Sequence, residues 1–136
     1  MALKKGYKAL LEDARAQVTA LSPDEARAML ERDDVQFVDL RDVRELEREG
    51  MIPGAFHAPR GMLEFWIDPD SPYFKDVFGS GKTFVFYCQS AWRSALATRA
   101  VQEMGLEPVC HLEGGFRAWK NAGLPTAERP PLPAKK

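Results

Sequence analysis

The chain lacks several features that define particular classes of protein. It has only two cysteines, Cys88 and Cys110, in 136 residues, too few for the disulfide framework of a small secreted domain. Its formal net charge is −1, so it has no basic surplus of the kind that nucleic-acid-binding proteins carry. No run approaches the roughly 18 apolar residues of a transmembrane helix, and the first residues include no apolar core of a secretory signal. These absences predict a cytoplasmic protein with no nucleic-acid and no membrane partner.

The composition is that of a folded domain. Hydrophobic residues make up 45% and charged residues 29% of the chain, a balance that disordered proteins do not have. Apolar residues at helical spacing predict an amphipathic helix over residues 2–16, within an N-terminal segment 1–17. We expect this helix to lie across a single domain of residues 18–125, and the sequence leaves open a homodimer contact or a membrane-surface role for it. Residues 126–136 are rich in proline and predict a mobile tail.

Two hydrophobic periodicities alternate along the domain. Short apolar runs predict buried strands over residues 35–40, 83–87 and 109–112. Helical patterns with capping residues separate these runs, and they cover residues 23–32, 42–50 and 116–121. Another helix follows the second run directly and ends at Gly105, with Ala97, Ala100, Val101 and Met104 on its inner face. Strands that alternate with helices imply crossover connections. We therefore predict an α/β fold with a mostly parallel central sheet and helices on both faces, whose functional site lies at the carboxyl ends of the strands.

The most informative segment follows the second predicted strand. Cys88 stands at the carboxyl end of that strand, before a short loop and a helix. Loop amides and a helix N-terminus favour negative charge there, and the same field favours the thiolate that acts as a nucleophile. Arg93 adds a cation whose fork of donors suits sulfonate or phosphate oxygens. Cysteine is also a common buried strand residue, but Arg93 at the helix start favours the functional thiolate.

Three motifs resemble the signatures of the rhodanese homology domain, over about residues 18–125. The first is Val-Asp-Leu-Arg at 38–41, followed by Glu45 and by Gly-Met-Ile-Pro-Gly-Ala at 50–55. The second is the segment 88–94, and the third is Leu-Glu-Gly-Gly-Phe-Arg-Ala-Trp at 112–119. The resemblance implies a rhodanese-like fold and a sulfurtransferase that needs no cofactor.

The resemblance also implies a mechanism in which Cys88 is the catalytic residue. Its thiolate takes the outer sulfur of a donor such as thiosulfate, and sulfite departs. A thiophilic acceptor such as cyanide or a small thiol then removes the sulfur from the persulfide. Arg93 would hold the sulfonate end of the donor. The expected substrate-binding residues are those of the loop, Gln89, Ser90, Ala91, Trp92 and Arg93.

Other functions remain open beside this one. One alternative is a non-catalytic carrier, in which Cys88 holds a persulfide for a partner protein. Another is a module in which the Cys88 thiolate senses the redox state for a partner protein. A cysteine phosphatase or arsenate reductase is disfavoured, because the loop has four residues between Cys88 and Arg93, one fewer than a loop that wraps a phosphoryl group. Ala91 stands where the family usually has glycine, so a left-handed backbone there would carry a cost and slow turnover. Met51 replaces a histidine of the family's first signature, which we interpret as structural.

The remaining polar residues are interpreted as structural. Asp39 and Arg41 predict a buried ion pair or bonds to the loop backbone, and not a chemical role. Glu45, three residues after Asp42, predicts a capping box. Glu113 suits a turn, a cap or an orienting contact to the loop.

The second cysteine, the histidines and the aromatic residues have weaker patterns. His57 and His111 do not stand at zinc-ligand spacing from the cysteines, so no metal is expected. Cys110 predicts a core residue, with a resolving thiol as the alternative. The aromatic residues of segment 61–78 predict a cover over one side of the sheet. The alternative is that some of them form the mouth of a pocket together with Trp92.

Overall fold

The computed structural model describes residues 1–130, and those residues form an α/β fold. Short 3-10 helices occur at Arg60–Met62 and Asp76–Gly79. The other elements, in chain order, are α1 (Tyr7–Gln17), β1 (Ala20–Leu21), α2 (Pro23–Met29), β2 (Val35–Asp39), α3 (Val43–Glu49), β3 (Phe56–His57), α4 (Leu63–Ile67), β4 (Thr83–Tyr87), α5 (Trp92–Met104), β5 (Val109–Leu112) and α6 (Gly115–Asn121).

The five strands form one parallel sheet in the order β1-β5-β4-β2-β3. This confirms the predicted α/β class with a parallel central sheet. The register pairs Asp39 at the end of β2 with Tyr87 at the end of β4. The loops that follow these two central strands therefore leave the same edge of the sheet side by side, and one of them begins with Cys88.

Each face of the sheet is covered by helices. On one face, buried residues of α4 and α5 pack against Val38, Phe84 and Phe86. On the other face, α2 and α6 pack against Phe37 and Val85. The aromatic segment 61–78 contributes to the first of these cores, with Phe78 buried and Trp66 and Phe74 packed against it. The interpretation as a core cover therefore holds for Phe78, Trp66 and Phe74, whereas Tyr73 is exposed.

Local signals placed most helix ends correctly. Capping boxes are present at Ser22 with Glu25 and at Asp42 with Glu45. The predicted helix over residues 2–16 is wrong at its start, because α1 begins only at Tyr7. Burial explains the difference: Leu11 and Ala14 of α1 pack on α5, whereas the residues before the helix are exposed or half-buried and have no packing surface.

The beginning of the proline-rich segment is attached to the domain. Ala127 and Met51 exchange two backbone hydrogen bonds of 2.8 Å, and the Trp119 indole N–H donates to the Pro125 carbonyl at 2.7 Å. Residues 131–136 of the predicted mobile tail lie outside the described residues. Within residues 1–130, no helix has both the length and the apolar character that crossing a bilayer demands.

Candidate functional site around Cys88

Cys88 follows β4 directly and is buried under the start of α5. Its side chain is only 1% exposed, and its Sγ accepts a hydrogen bond from the backbone N–H of Ser94 at 3.3 Å. The Cys88 carbonyl accepts from the Phe116 N–H at 2.8 Å, so α6 also holds this position. The sulfur therefore lies at the carboxyl edge of the sheet, next to the unpaired N–H groups of a helix start.

The predicted substrate-binding residues form one short loop. Gln89 is half-buried, Ser90 is exposed, and Trp92 and Arg93 are the first two residues of α5. Ala91 precedes the helix with φ 74° and ψ 2°, which is the left-handed conformation that the sequence analysis identified as costly for alanine. Within residues 1–130, the backbone N–H groups of Gln89, Ser90 and Ala91 have no protein acceptor. The loop thus offers donors to an anion bound beside Cys88.

Gln89 is fixed by side chains on both sides. Arg41 Nη1 donates to its Oε1 at 3.1 Å, and its Nε2 donates to Glu49 at 3.3 Å. Arg41 itself forms the predicted buried ion pair with Asp39, with the shortest distance 2.8 Å from Nη2 to Oδ2, and its guanidinium lies 4.4 Å from the centre of the Phe116 ring. The ion pair is therefore structural, and it orients the first residue after Cys88.

Arg93 forms an ion pair that the sequence analysis missed. Its two terminal nitrogens donate to the two carboxylate oxygens of Glu45 at 2.8 and 2.9 Å. The hydrogen bonds from Arg93 hold the pKa of Glu45 below its usual value, although burial opposes them. The hydrogen bonds to Glu45, and then the negative charge of a Cys88 thiolate, raise the pKa of Arg93. The fork that was predicted to hold a sulfonate is thus occupied by Glu45.

A second missed contact joins Ser94 to His111. The Ser94 hydroxyl and His111 Nδ1 are 2.9 Å apart, and both residues are buried. Burial, with a smaller contribution from the charge of Arg15, lowers the pKa of His111 to about 4. The imidazole is therefore neutral at physiological pH, and it holds the hydroxyl of the residue whose N–H contacts Cys88.

Gly115 allows α6 to approach the loop. A Cβ atom there would stand 2.6 Å from the Cys88 carbonyl oxygen and from the Gln89 backbone, and its φ is +65°. Glycine alone combines this close approach with a left-handed backbone. The Gly-Gly pair of the third motif is therefore part of the site.

The other candidate residues make contacts of their own. Cys110 belongs to the core that α2 and α6 cover, and burial raises its pKa to about 11, which is unfavourable for a resolving thiol. His57 Nε2 contacts the Arg41 carbonyl oxygen at 2.7 Å. Among residues 1–130, no group of three or more histidine, cysteine or acidic side chains is arranged to hold a metal ion. Trp92 is half exposed and contacts the Tyr7 ring of α1, with 5.1 Å between ring centres.

Several known proteins are similar to this chain. The family model for the rhodanese-like domain matches residues 22–122. The thiosulfate sulfurtransferase GlpE of Shewanella oneidensis is 32% identical over 105 residues, which are 75% of this chain and 92% of that protein. An uncharacterized protein of Synechocystis is 36% identical over 108 residues, or 79% of this chain, and the match spans 55% of its own length.

Solved structures agree with the fold. One of them is a protein of unknown function from Rhodopseudomonas palustris, described as a possible tyrosine phosphatase. It is 50% identical to this chain with a TM-score of 0.91, and the match covers 93% of this chain and 98% of that one. The polysulfide-sulfur transferase of Wolinella succinogenes, described as a homodimer, has a TM-score of 0.68 and 30% identity, with 90% of this chain and 88% of that one covered.

Proposed function

Because the chain belongs to the rhodanese-like domain family, which includes thiosulfate sulfurtransferases, we propose that it transfers sulfane sulfur through a persulfide on Cys88. The observation that carries the proposal is the position of the Cys88 sulfur. It lies at the start of α5, in contact with the Ser94 N–H and beside a loop whose N–H groups at Gln89, Ser90 and Ala91 have no acceptor among residues 1–130. An anionic sulfur is stabilised by such donors.

In the first step, the Cys88 thiolate forms a bond to the outer sulfur of thiosulfate. The sulfur–sulfur bond of the donor breaks, its electron pair leaves with sulfite, and the negative charge of the attacking thiolate remains on the new persulfide. Sulfite is a weakly basic leaving group, which favours this exchange. The loop donors at Gln89, Ser90 and Ala91 are available to the persulfide, and Arg93 supplies positive charge nearby.

In the second step, an acceptor attacks the outer sulfur of the persulfide. With cyanide, a carbon–sulfur bond forms, thiocyanate leaves, and the bonding electrons return to Cys88 as a thiolate. No proton moves in either step, so the mechanism requires no general base. Gln89 needs only to hold its position, which its contacts with Arg41 and Glu49 provide.

Phosphatase activity is the alternative to sulfur transfer, since the similar Rhodopseudomonas protein is described as a possible tyrosine phosphatase. Three features of this chain oppose it. The loop between Cys88 and Arg93 is one residue shorter than a phosphate-wrapping loop, and Arg93, which would bind phosphoryl oxygens, is paired with Glu45. Moreover, Glu45 is paired with Arg93 and Glu49 accepts a hydrogen bond from Gln89, so both of these carboxylates are engaged and neither is free to serve as a general acid.

The carrier function, the location and the oligomeric state are further parts of the proposal. A carrier would load Cys88 in the same way but would pass its sulfur only to a protein. Both cysteines are free thiols, which agrees with a reducing compartment such as the cytoplasm. Tyr7 and Leu10 of α1 are exposed, with Tyr7 beside Trp92 of α5, and this apolar strip is where we place the contact of a homodimer.

The test is a thiosulfate-to-cyanide assay with wild type, Cys88→Ser and Cys110→Ser, combined with intact mass after exposure to thiosulfate. We expect a mass gain of one sulfur atom and thiocyanate production in wild type and Cys110→Ser, and neither in Cys88→Ser. A mass gain without thiocyanate would favour the carrier. Hydrolysis of an aryl phosphate without any mass gain would replace the proposal with the phosphatase.

A further inference from the structure

A groove beside the Cys88 loop is lined by cationic side chains. It lies between α3 and α6, has a volume of about 510 Å³, and includes the side chain of Gln89. Arg48 lines it from α3, and Arg117 and Lys120 line it from α6. All three cations are exposed, and within the described part of the chain none of them forms an ion pair.

The acidic residues of the groove do not cancel this charge. Glu45 is neutralised by its two hydrogen bonds with Arg93. Glu49 is the remaining carboxylate, and it accepts a hydrogen bond from Gln89. Three unpaired cations therefore face one carboxylate, and the groove has an excess of positive charge. By contrast, Arg93 within the loop has no free fork to offer an anion.

The groove is connected rigidly to the reacting sulfur. The N–H of Arg117 donates to the Gln89 carbonyl at 3.1 Å, and the N–H of Phe116 donates to the Cys88 carbonyl at 2.8 Å. Arg117 and Lys120 are three residues apart on α6, so their side chains can act on the same group. A small molecule anchored by these cations would extend past Gln89 toward the sulfur.

We propose that this groove binds the carboxylate of the acceptor, and that the acceptor is a small thiol carrying a carboxylate a few bonds from its sulfur. The inference rests on the proposed function and names the substrate of its second step. Thiosulfate fits the groove less well. Its charged oxygens are bonded to its inner sulfur, directly beside the outer sulfur that is transferred, so they would lie inside the loop. A carboxylate separated from the thiol by a short carbon chain reaches the groove, which lies outside the loop.

The transfer balances without an oxidant. The acceptor thiol releases its proton to water, and its sulfur forms a bond to the outer sulfur of the Cys88 persulfide. The bond between that outer sulfur and Cys88 Sγ breaks with its electron pair remaining on Sγ. The products are a perthiolate that carries the carboxylate and a Cys88 thiolate ready for another cycle.

A kinetic experiment separates the carboxylate from the thiol. The persulfide is loaded with thiosulfate, the donor is removed, and loss of the extra sulfur is followed by mass with 3-mercaptopropionate or with the neutral 2-mercaptoethanol. The test variant is Arg117→Gln with Lys120→Gln. The control, Arg27→Gln with Lys82→Gln, removes the same charge outside the groove. Each rate is divided by the wild-type rate for the same thiol, so that intrinsic thiol reactivity cancels.

We expect the test variant to react with 3-mercaptopropionate about 3- to 10-fold more slowly than wild type, since each exposed charge contributes up to about fivefold. Its rate with 2-mercaptoethanol and both rates of the control should stay within about twofold, and high salt should remove the effect. Equal ratios for the two thiols in the test variant would overturn the proposal.

A binding experiment decides the same question without persulfide chemistry. The wild type is titrated with 3-(methylthio)propionate and with 2-(methylthio)ethanol, and backbone amide shifts are followed by NMR. Shifts at Gln89, Arg117 and Lys120 with the carboxylate alone support the groove. If such shifts occur but thiosulfate never loads Cys88, the proposed function fails while the groove remains. If the two compounds produce equal shifts, or none, the groove proposal fails whatever the outcome of the sulfur assay.

Discussion

Arg93 at the start of α5 and Glu45 of α3 are joined by two parallel hydrogen bonds of 2.8 and 2.9 Å. Bidentate pairs of this kind fix geometry as well as charge. The pair therefore holds the first turn of α5 against α3, and the carboxylate of Glu45 offsets part of the positive charge that Arg93 brings to the loop. A donor anion meets loop N–H groups and not an open guanidinium.

The first prediction concerns release of this arginine. Glu45→Gln keeps an acceptor for the Asp42 N–H of the capping box but removes the negative charge. We expect the KM for thiosulfate to fall by about 3- to 10-fold, because one partly buried charge is worth roughly 1 kcal/mol, and stability to fall by a similar free energy. Glu47→Gln, an exposed change on the same helix, is the control and should leave KM unchanged. A higher KM in Glu45→Gln would mean that the pair itself organises the donor site.

Much of the fold and part of the site could be predicted from the sequence, because their signals are local. The strand before Cys88, the capping residues Ser22 and Asp42, and the motif around Gly115 are each encoded within a few residues. The pair of Glu45 with Arg93 could not be predicted, since 48 residues separate the partners and Glu45 already has a local role. Only the adjacency of β2 and β4 brings them together.

Two short strands and one side-chain contact also could not be predicted from the sequence. β1 and β3 have two residues each, too few to show an alternating pattern, and they exist only because they pair with a longer neighbour. His111 lies next to Cys110 on β5, and its side chain contacts Ser94 of α5. This contact depends on how α5 crosses the sheet.

The second prediction uses the backbone at Ala91. A left-handed φ of 74° costs alanine free energy that glycine does not lose. We expect Ala91→Gly to be as stable as wild type or up to about 1 kcal/mol more stable, whereas Ala91→Val should lose more than about 1 kcal/mol because branching at Cβ adds to the strain. Urea unfolding orders the three proteins. A valine variant as stable as the glycine variant would show that the loop relaxes out of this conformation.

The third prediction separates close approach from backbone conformation. Gly115 and Gly123 both have positive φ, of 65° and 72°, but a Cβ at Gly115 would meet backbone atoms at 2.6 Å and one at Gly123 would meet nothing within 4 Å. We expect Gly123→Ala to lose about 1 kcal/mol of stability through strain alone, with sulfur transfer intact. Gly115→Ala should lose more than about 2 kcal/mol and displace the Cys88 loop. Equal losses in the two variants, with equal activity, would show that α6 can move away from the loop at no cost.

The fourth prediction is a pH dependence that arises from His111. Its pKa is lowered from 6.5 to about 4 by burial, so the unfolded chain binds a proton over this range that the folded chain does not. The contribution of the neutral imidazole to stability is complete above about pH 6.5 and is lost as the pH falls toward 4, by up to about 3 kcal/mol.

His111→Asn removes this proton while leaving a side chain that can contact Ser94. We expect the variant to be less stable than wild type at pH 7, through looser packing and a poorer hydrogen bond, and the difference to shrink steadily as the pH is lowered to 4.5. The measurement is the free energy of unfolding in urea at several pH values for both proteins. Parallel curves would contradict the prediction, because they would show that the imidazole takes up its proton as readily in the folded state as in the unfolded state.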